Sequence, residues 1–193
     1  MRICFLDFDG VLNSYEFMQK ESELHGTPDG PRGTVGLDPL AVARVNKICE
    51  LGNASIVISS SWRYGHKLIE LKEILANVGL TVKVLDTTPL PRDLLIDRLR
   101  KTFEEKGLSA PPDTFNRIIE AHGRGVEIDH WLRQNALVRE IDGFVVLDDD
   151  SDIEPHMNRH IKTSFALGLQ DEHIPRAVEI LNRKWHLNGG KEK

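Results

Sequence analysis

The segment ICFLDFDG at residues 3–10 indicates the fold class, because it joins an apolar run directly to two carboxylates. The residues ICFL are typical of a buried parallel strand, and the Asp and Gly that follow indicate a loop. A carboxylate beside an apolar strand is costly unless another group pairs with it. The positions of Asp7 and Asp9 therefore predict partners elsewhere in the chain.

Two further predicted strands also end in polar groups. ASIVI at residues 54–58 leads into the serines at 59–61, and GFVVL at 143–147 leads into DDDSD at 148–152. Segments with apolar residues at helical spacing separate these strands. This alternation predicts an α/β fold, a three-layer α/β/α sandwich around a central parallel sheet of the Rossmann-like type.

The other elements follow from capping residues and apolar spacing. A helix is predicted to begin at Asp38 and Pro39, its N-cap and first residue, and to stop near Gly52. A second helix closes at Gly79 and leads into a third strand, LTVKVLD at 80–86. The remaining predicted elements are a helix around Val126, Ile128, Trp131 and Leu132, a short strand in KTSFA at 162–166, and a C-terminal helix with Ile174, Val178, Leu181 and Trp185.

Length and composition are those of one globular domain. The chain has 193 residues, of which 40% are hydrophobic and 28% charged, and its formal net charge is −5. We expect one domain over residues 1–187, with a loop insertion at about 13–36, a small helical insertion at about 88–123 and a disordered tail at 188–193. The acidic balance disfavours a general nucleic-acid coat, which needs clustered Lys and Arg.

Cysteine usage and hydropathy predict the compartment. Cys4 and Cys49 lie in apolar surroundings without metal-type spacing, so we expect reduced core residues and no disulfide. No segment reaches the ~20 apolar residues that a membrane span needs, and the first residues lack the long apolar stretch of a signal peptide. We therefore expect a cytoplasmic protein without a membrane partner.

The polar strand ends are predicted to converge, because the carboxyl ends of parallel strands share one edge of a sheet. Asp7, Asp9, the serine run and the acidic run would then lie together. Two carboxylates ~4 Å apart repel by roughly 4 kcal/mol at an effective dielectric of about 20, so such a cluster needs a cation or protonation. Oxygen ligands of this kind favour Mg²⁺ over zinc or copper.

Four motifs in this order resemble those of the haloacid dehalogenase (HAD) superfamily of phosphohydrolases. DFDGVL at 7–12 resembles the first motif, SSSW at 59–62 the second, Arg124 in RGVEIDHWL the basic third, and LDDDSD at 147–152 the acidic fourth. The more specific similarity is to the small HAD domains of phage and bacterial proteins and of multi-domain RNA repair proteins. It covers roughly the whole chain and implies the HAD fold with a minimal cap.

The resemblance implies catalytic roles for the two aspartates of the first motif. Asp7 would attack phosphorus and form an aspartyl-phosphate, and Asp9 would act as general acid and then as general base. Superfamily members that perform phosphoryl chemistry carry this second aspartate, whereas the dehalogenases lack it. Gly10 would let the backbone turn closely past the anion.

The second and third motifs are implied to hold the phosphoryl group. Either Ser59 or Ser60 would donate a hydrogen bond to a phosphoryl oxygen, since the alignment fits both. Arg124 would neutralise charge on the transferring group. Many relatives have Lys at this position, and Arg keeps the charge while offering a fork of donors.

The acidic motif is implied to hold Mg²⁺. Asp148 would bind the ion together with Asp7 and the main-chain carbonyl of Asp9, and Asp149 or Asp152 would hold a metal-bound water. The sequence fits a pair at 148 and 149 as well as a pair at 148 and 152.

Each motif alone also has a structural explanation. DFDG suits an Asp-Gly turn, the serine run suits a helix cap, and DDDSD suits a solvated turn. Three strand ends that carry complementary groups in the order of one mechanism favour an enzyme over these separate explanations. The alternative is a catalytically idle module that uses the acidic edge to hold a metal or a partner.

Several other residues have two interpretations. Arg63 follows the second motif, and it either reaches the substrate or pairs with a neighbouring acid. His156 and His160 have the i, i+4 spacing of zinc sites, but no Glu accompanies them and Pro155 indicates a helix start, so we expect a solvated helix face. The tryptophans at 62, 131 and 185 are expected in the core.

The resemblance also suggests the substrate class, because cap insertions largely set substrate choice in the superfamily. Both insertions are short here, so we expect an open site and a bulky substrate such as a nucleotide, a nucleic-acid terminus or a phosphoprotein. The first hypothesis is a Mg²⁺-dependent phosphatase of a nucleotide or nucleic-acid end. Hydrolysis of another small metabolite is an alternative, and phosphotransfer would need a closing cap to exclude water.

Overall fold

A five-stranded parallel sheet forms the centre of the molecule. The computed structural model describes residues 1–26, 36–90, 105–107 and 123–187. The strand order is β3-β2-β1-β4-β5, and every neighbouring pair is parallel. The strands are β1 (Arg2–Leu6), β2 (Ala54–Ile58), β3 (Val84–Thr87), β4 (Gly143–Asp148) and β5 (His160–Lys162).

Five α-helices accompany the sheet in the described ranges. They are α1 (Tyr15–His25), α2 (Pro39–Gly52), α3 (Leu68–Asn77), α4 (Arg124–Asn135) and α5 (His173–Asn182). The start of α2 is as predicted, because the Asp38 side chain accepts a hydrogen bond from the backbone N–H of Leu40. One-turn 3₁₀ helices lie at Ser61–Tyr64 and Met157–Arg159.

The helices cover both faces of the sheet, which confirms the three-layer α/β/α fold. On one face, buried residues of α2, α3 and α5 pack against Leu6, Ile58 and Leu147. On the other face, α4 packs against Phe5 and Phe144. Burial on both faces explains the continuous apolar runs in β1, β2 and β4. Cys4 and Cys49 are buried free thiols in the first of these layers, as predicted.

The predicted bounds of β3, β5 and α5 are corrected. β3 begins at Val84, because the preceding residues close α3 and Thr81 N–H donates to Asn46 Oδ1 on α2. β5 is His160–Lys162 rather than KTSFA, because its partner β4 ends at Asp148 opposite Lys162. α5 ends at Asn182, so Trp185 lies beyond the helix.

The first insertion is also corrected, because it is not only a loop. It contains α1, which is capped by the Ser14 side chain and has no buried residue. Residues 27–35 of this insertion and most of the second insertion, which is predicted to be helical, lie outside the described residues. The predicted tail at 188–193 lies outside them as well, and the single-domain division remains a prediction.

The two histidines of HMNRH do not form a solvated helix face, so that prediction was wrong. His156 is 8% exposed and His160 is 5% exposed. His160 lies in β5, where its Nε2 is 2.9 Å from the carbonyl oxygen of Asp148. Pairing of β5 with β4 therefore breaks the helical spacing. No helix in the described ranges is both long and apolar enough to cross a membrane.

Candidate active site

The carboxyl ends of β1, β2 and β4 bring the predicted motifs to one edge of the sheet. The ladder continues one residue past the strands, because Asp7 N–H donates to the Leu147 carbonyl at 3.0 Å and Ser59 N–H donates to the Leu6 carbonyl at 2.8 Å. Asp148 is the last residue of β4. Strand register therefore holds the first, second and fourth motifs side by side.

Three carboxylates of this edge form a compact cluster. Asp7, Asp148 and Asp149 each offer one oxygen, and these oxygens lie within 4.8 Å of one another. Asp7 and Asp148 are buried, and Asp149 is half-buried. The Oδ2 atom of Asp148 is buried without a hydrogen-bond partner in the described part of the chain. A buried acceptor among carboxylate oxygens fits a hard divalent cation such as Mg²⁺.

Arg124 supplies the positive charge that faces this cluster. Its Nη2 is 3.3 Å from Asp7 Oδ2, and its Nε is 3.5 Å from Asp148 Oδ2. Its Nη1 donates to the carbonyl of Ser59 at the end of β2. One guanidinium therefore contacts the groups from all three strand ends.

Burial and mutual repulsion raise the pKa values of the clustered acids. Burial first, and then the charge of Asp7, raises the pKa of Asp148 to about 8. Burial also raises the pKa of Asp7, because the opposing charge of Arg124 does not cancel it. For Asp149, burial and then Asp150 raise the pKa. Burial alone would lower the pKa of Arg124, but the neighbouring carboxylates outweigh it and the net shift is upward.

Asp152 lies apart from the carboxylate cluster, at the N-terminus of α4. Its Oδ2 accepts a hydrogen bond from the backbone N–H of Arg124 at 2.9 Å, and its carbonyl accepts one from Gly125 N–H at 3.0 Å. An acid at a helix N-terminus satisfies free N–H groups and the helix dipole. The cluster thus brings together residues 148 and 149 rather than 148 and 152.

The serines of the second motif face different neighbours. Both are fully buried. Ser60 Oγ accepts a 3.4 Å hydrogen bond from Trp62 N–H, and the Ser60 side chain also acts to lower the pKa of the Asp7 carboxyl. Ser59 Oγ instead accepts a 3.5 Å hydrogen bond from Thr88 Oγ1. The hydroxyl that faces the predicted nucleophile is therefore that of Ser60.

Asp9 lies in a turn that Gly10 makes possible. Gly10 has a φ of 66°, a left-handed conformation that other residues rarely adopt, and an added Cβ would lie 2.2 Å from the Asp149 carboxyl carbon. The Gly10 carbonyl accepts a 2.6 Å hydrogen bond from Thr163 Oγ1. Thr163 N–H donates to the Asp148 carbonyl at 3.1 Å. The residue after β5 thus joins the first motif to the fourth.

Trp62 is not only a core residue, because its indole contacts Asp9. Trp62 Nε1 lies 3.2 Å from Oδ1 and 3.1 Å from Oδ2 of Asp9. Asn13 Nδ2 donates to the same carboxylate at 2.8 Å. Trp131 is buried as predicted, whereas Trp185 is only partly buried.

Arg63 pairs with a buried acid. Its Nη2 is 2.8 Å from Glu127 Oε2, and the two side chains are 4% and 5% exposed. Its Nε donates to the Ser60 carbonyl, and its Nη1 donates to the carbonyls of Thr88 and Pro89. Of the two interpretations of Arg63, these contacts favour the structural one.

Sequence reasoning missed Asn13, Thr163 and Glu127, and it assigned no role in the site to Trp62. Glu127 follows Arg124 by three residues in the same predicted helix, a spacing that places both on one side of α4. Trp62 is the last residue of the second motif, SSSW, which was a usable signal. Thr163 gave none, because its contact depends on where β5 ends.

Comparison with known proteins identifies the family. The sequence model of one family, described as the HAD domain in Swiss Army Knife RNA repair proteins, matches residues 3–174. In the same comparisons, no curated protein and no solved structure matched the chain. The match spans most of the chain and all four motifs, and the family points to phosphohydrolase chemistry in general. The chain belongs to the family of HAD domains found in Swiss Army Knife RNA repair proteins.

Proposed function

We propose that the protein is a Mg²⁺-dependent phosphomonoester hydrolase that works through an aspartyl-phosphate. The observation that carries the proposal is the meeting of Asp7, Asp148 and Asp149 within 4.8 Å, with Arg124 in contact with the first two. Burial of two carboxylates is costly, and acids with raised pKa values in such clusters are concentrated at functional sites.

The proposed reaction has two displacements at phosphorus. In the first, a carboxylate oxygen of Asp7 bonds to phosphorus while the bond to the leaving oxygen breaks, and Asp9 gives its proton to that oxygen. In the second, Asp9 takes a proton from water as the water oxygen bonds to phosphorus and the bond to Asp7 breaks. Inorganic phosphate leaves, and both aspartates return to their starting states.

Arg124 and Ser60 are proposed to hold the phosphoryl group during these steps. The guanidinium already contacts Asp7, so it would meet the charged oxygens of the group that Asp7 accepts. The Ser60 hydroxyl, which acts to lower the pKa of Asp7, would donate to a phosphoryl oxygen. Mg²⁺, when bound by Asp7, Asp148, the Asp9 main-chain carbonyl and, directly or through water, Asp149, supplies charge neutralisation. Asp152 and Arg63 are proposed as structural residues.

The proposed substrate is a nucleotide or a nucleic-acid terminal phosphate. The family is described from RNA repair proteins, which supports a nucleic-acid substrate. The short insertions expected from the sequence agree with a bulky substrate. A phosphoprotein or a smaller metabolite is the alternative substrate, and we propose a cytoplasmic location.

A screen of phosphate release tests the proposal. The panel holds an aryl phosphate, mononucleotides, oligonucleotides with 3′- or 5′-phosphates, sugar phosphates and phosphopeptides. We expect release from the aryl phosphate and from nucleotide substrates, loss in EDTA, and recovery with added Mg²⁺. If only sugar phosphates were hydrolysed efficiently, the substrate proposal would be wrong.

The variant Asp7→Asn distinguishes an enzyme from an idle metal-binding module. Removal of the nucleophile should lower turnover by at least about a thousandfold. Asp38→Asn, which keeps a capping oxygen at the start of α2 and lies outside the carboxylate cluster, is the matched control and should keep wild-type turnover. Metal binding by the wild-type protein without phosphate release from any substrate would favour the idle module.

A further inference from the structure

The Asp9 carboxylate is surrounded by side-chain donors. Trp62 Nε1 lies 3.1 and 3.2 Å from its two oxygens, Asn13 Nδ2 lies 2.8 Å from Oδ1, and Ser61 Oγ lies 3.5 Å from Oδ2. Asp7 is different, because its strongest opposing group is the charged Arg124. The two aspartates of the first motif therefore have distinct surroundings.

Trp62 and Asn13, which donate the shorter hydrogen bonds to Asp9, are held in place by other contacts. The Trp62 ring meets the Phe8 ring edge-on at 5.2 Å and stacks on His66 at 5.9 Å with an interplanar angle of 26°. Asn13 is 8% exposed, and its Oδ1 accepts a 2.9 Å hydrogen bond from Gly10 N–H. Neither donor needs to reorganise to reach Asp9.

We propose that Trp62 and Asn13 are positioning residues that favour proton transfer from Asp9 to the leaving oxygen. This proposal rests on the proposed hydrolase function. As the bond from phosphorus to the leaving oxygen breaks, the Asp9 proton moves to that oxygen and Asp9 becomes a carboxylate. Hydrogen bonds to a carboxylate are stronger than those to a carboxylic acid, so both donors stabilise the transition state more than the substrate complex in which Asp9 still holds its proton.

The importance of the two donors depends on the leaving group. A nitrophenolate leaves readily without a proton, whereas a more basic phenolate or a sugar oxygen needs one. Loss of a donor to Asp9 should therefore slow esters of basic alcohols more than activated aryl esters. A residue that only maintains packing would slow all esters by the same factor.

The test uses Trp62→Phe, which keeps an aromatic ring and removes the indole N–H. Values of kcat/KM are measured with Mg²⁺ for a series of substituted phenyl phosphates and plotted against the pKa of the leaving phenol. We expect kcat/KM to fall about tenfold for phenyl phosphate and less than about twofold for dinitrophenyl phosphate. The dependence of kcat/KM on the pKa of the leaving phenol should therefore be steeper in the variant than in the wild type.

Trp131→Phe is the matched control. It removes a comparable indole hydrogen bond, the 2.9 Å contact of Trp131 Nε1 with Asp86 Oδ2, on the opposite face of the sheet from Trp62. Its leaving-group dependence should equal that of the wild type. If thermal melting shows that Trp62→Phe does not fold, Asn13→Ala removes the other donor and is expected to give the same steeper dependence.

Two outcomes overturn the inference, and they differ from each other. Active variants with the wild-type leaving-group dependence would leave the hydrolase function intact and reduce Trp62 and Asn13 to structural residues. A wild-type protein that releases no phosphate from any member of the series would overturn the proposed function as well.

Discussion

At the scale of single residues, the site is defined by buried charge that the chain only partly compensates. Asp7 and Asp148 are 4% and 0% exposed, and the guanidinium of Arg124 contacts both. One positive charge does not balance two carboxylates and the neighbouring Asp149. Burial first, and then repulsion by neighbouring carboxylates, raises the pKa values of all three acids, and a divalent cation would offset the negative charge of their ionised forms.

The affinity for Mg²⁺ should therefore increase with pH. In the metal-free protein the pKa of Asp148 is about 8, so this group holds a proton at pH 6 that the ion must displace. The apparent affinity should rise by up to about tenfold per pH unit below pH 8. Calorimetric titrations in two buffers of different ionisation enthalpy should show proton release on Mg²⁺ binding at pH 7, and this release should fall at pH 9, where Asp148 is already ionised. Binding without proton release would contradict this prediction.

The same raised pKa sets the sign of a stability change in the metal-free protein. Asp148 ionises near its ordinary pKa of about 4 when unfolded and near 8 when folded. The stability that Asp148 contributes is fully present below its pKa in the unfolded chain. It is lost as the pH rises through its pKa in the folded protein. Denaturant titrations at several pH values should show that the free energy of unfolding falls less with rising pH in Asp148→Asn than in the wild type.

At the scale of elements, the N-terminus of α4 is the part of the site that is fixed by contacts on several sides. Gly125 lies against the backbone of Ile153 and Glu154, and Asp152 accepts the Arg124 N–H. One turn later, Glu127 pairs with Arg63. These contacts fix the position of the Arg124 backbone, and with it the origin of the Arg124 side chain.

Gly125→Ala should displace α4 from the acidic motif. An added Cβ would lie 2.1 Å from the Glu154 carbonyl oxygen, which is backbone and cannot rotate away. We expect a loss of about 1 to 3 kcal/mol in the free energy of unfolding and a fall in turnover, because Arg124 moves with the helix. Gly65→Ala is the control, since no described atom lies within 4 Å of the added Cβ and its φ is −106°. Equal effects from both variants would contradict the account.

Removal of one partner from the Arg63–Glu127 pair should strongly destabilise the protein. Glu127→Gln leaves the guanidinium of Arg63 buried without its counter-charge, which costs about 3 to 5 kcal/mol in the free energy of unfolding. The exposed pair of Arg183 and Glu179 is the control, and Glu179→Gln should leave the unfolding midpoint unchanged. Denaturant titration measures both, and a wild-type midpoint for Glu127→Gln would contradict the prediction.

At the scale of the whole molecule, the sequence predicted what strand ends and apolar runs determine. ICFL, ASIVI and GFVVL are the three central strands, and their order in the sheet brings Asp7, the serines and Asp148 together as expected. The helical spacing of α2 and the cap at Asp38 were equally local signals. These features depend on short segments, so their interpretation needed no tertiary information.

What the sequence could not predict depends on contacts between distant segments. His160 reads as helical beside His156, but its place in β5 follows from pairing with β4. Asp152 and Asp149 are chemically alike. Asp152 accepts the Arg124 N–H only because the N-terminus of α4 packs beside it in the folded chain. The role of Trp62 likewise follows from the turn at Gly10, which brings Asp9 to the indole.

A crystal structure with Mg²⁺ and beryllium fluoride, which bonds to an aspartate oxygen as a phosphoryl group does, would show whether Asp7 is the nucleophile beside the metal site. We expect beryllium on Asp7, the ion on Asp7 and Asp148, and Arg124 and Ser60 directed at the fluorides, with none of this in Asp7→Asn. Fluoride density elsewhere, or an ion that does not contact both Asp7 and Asp148, would contradict this expectation.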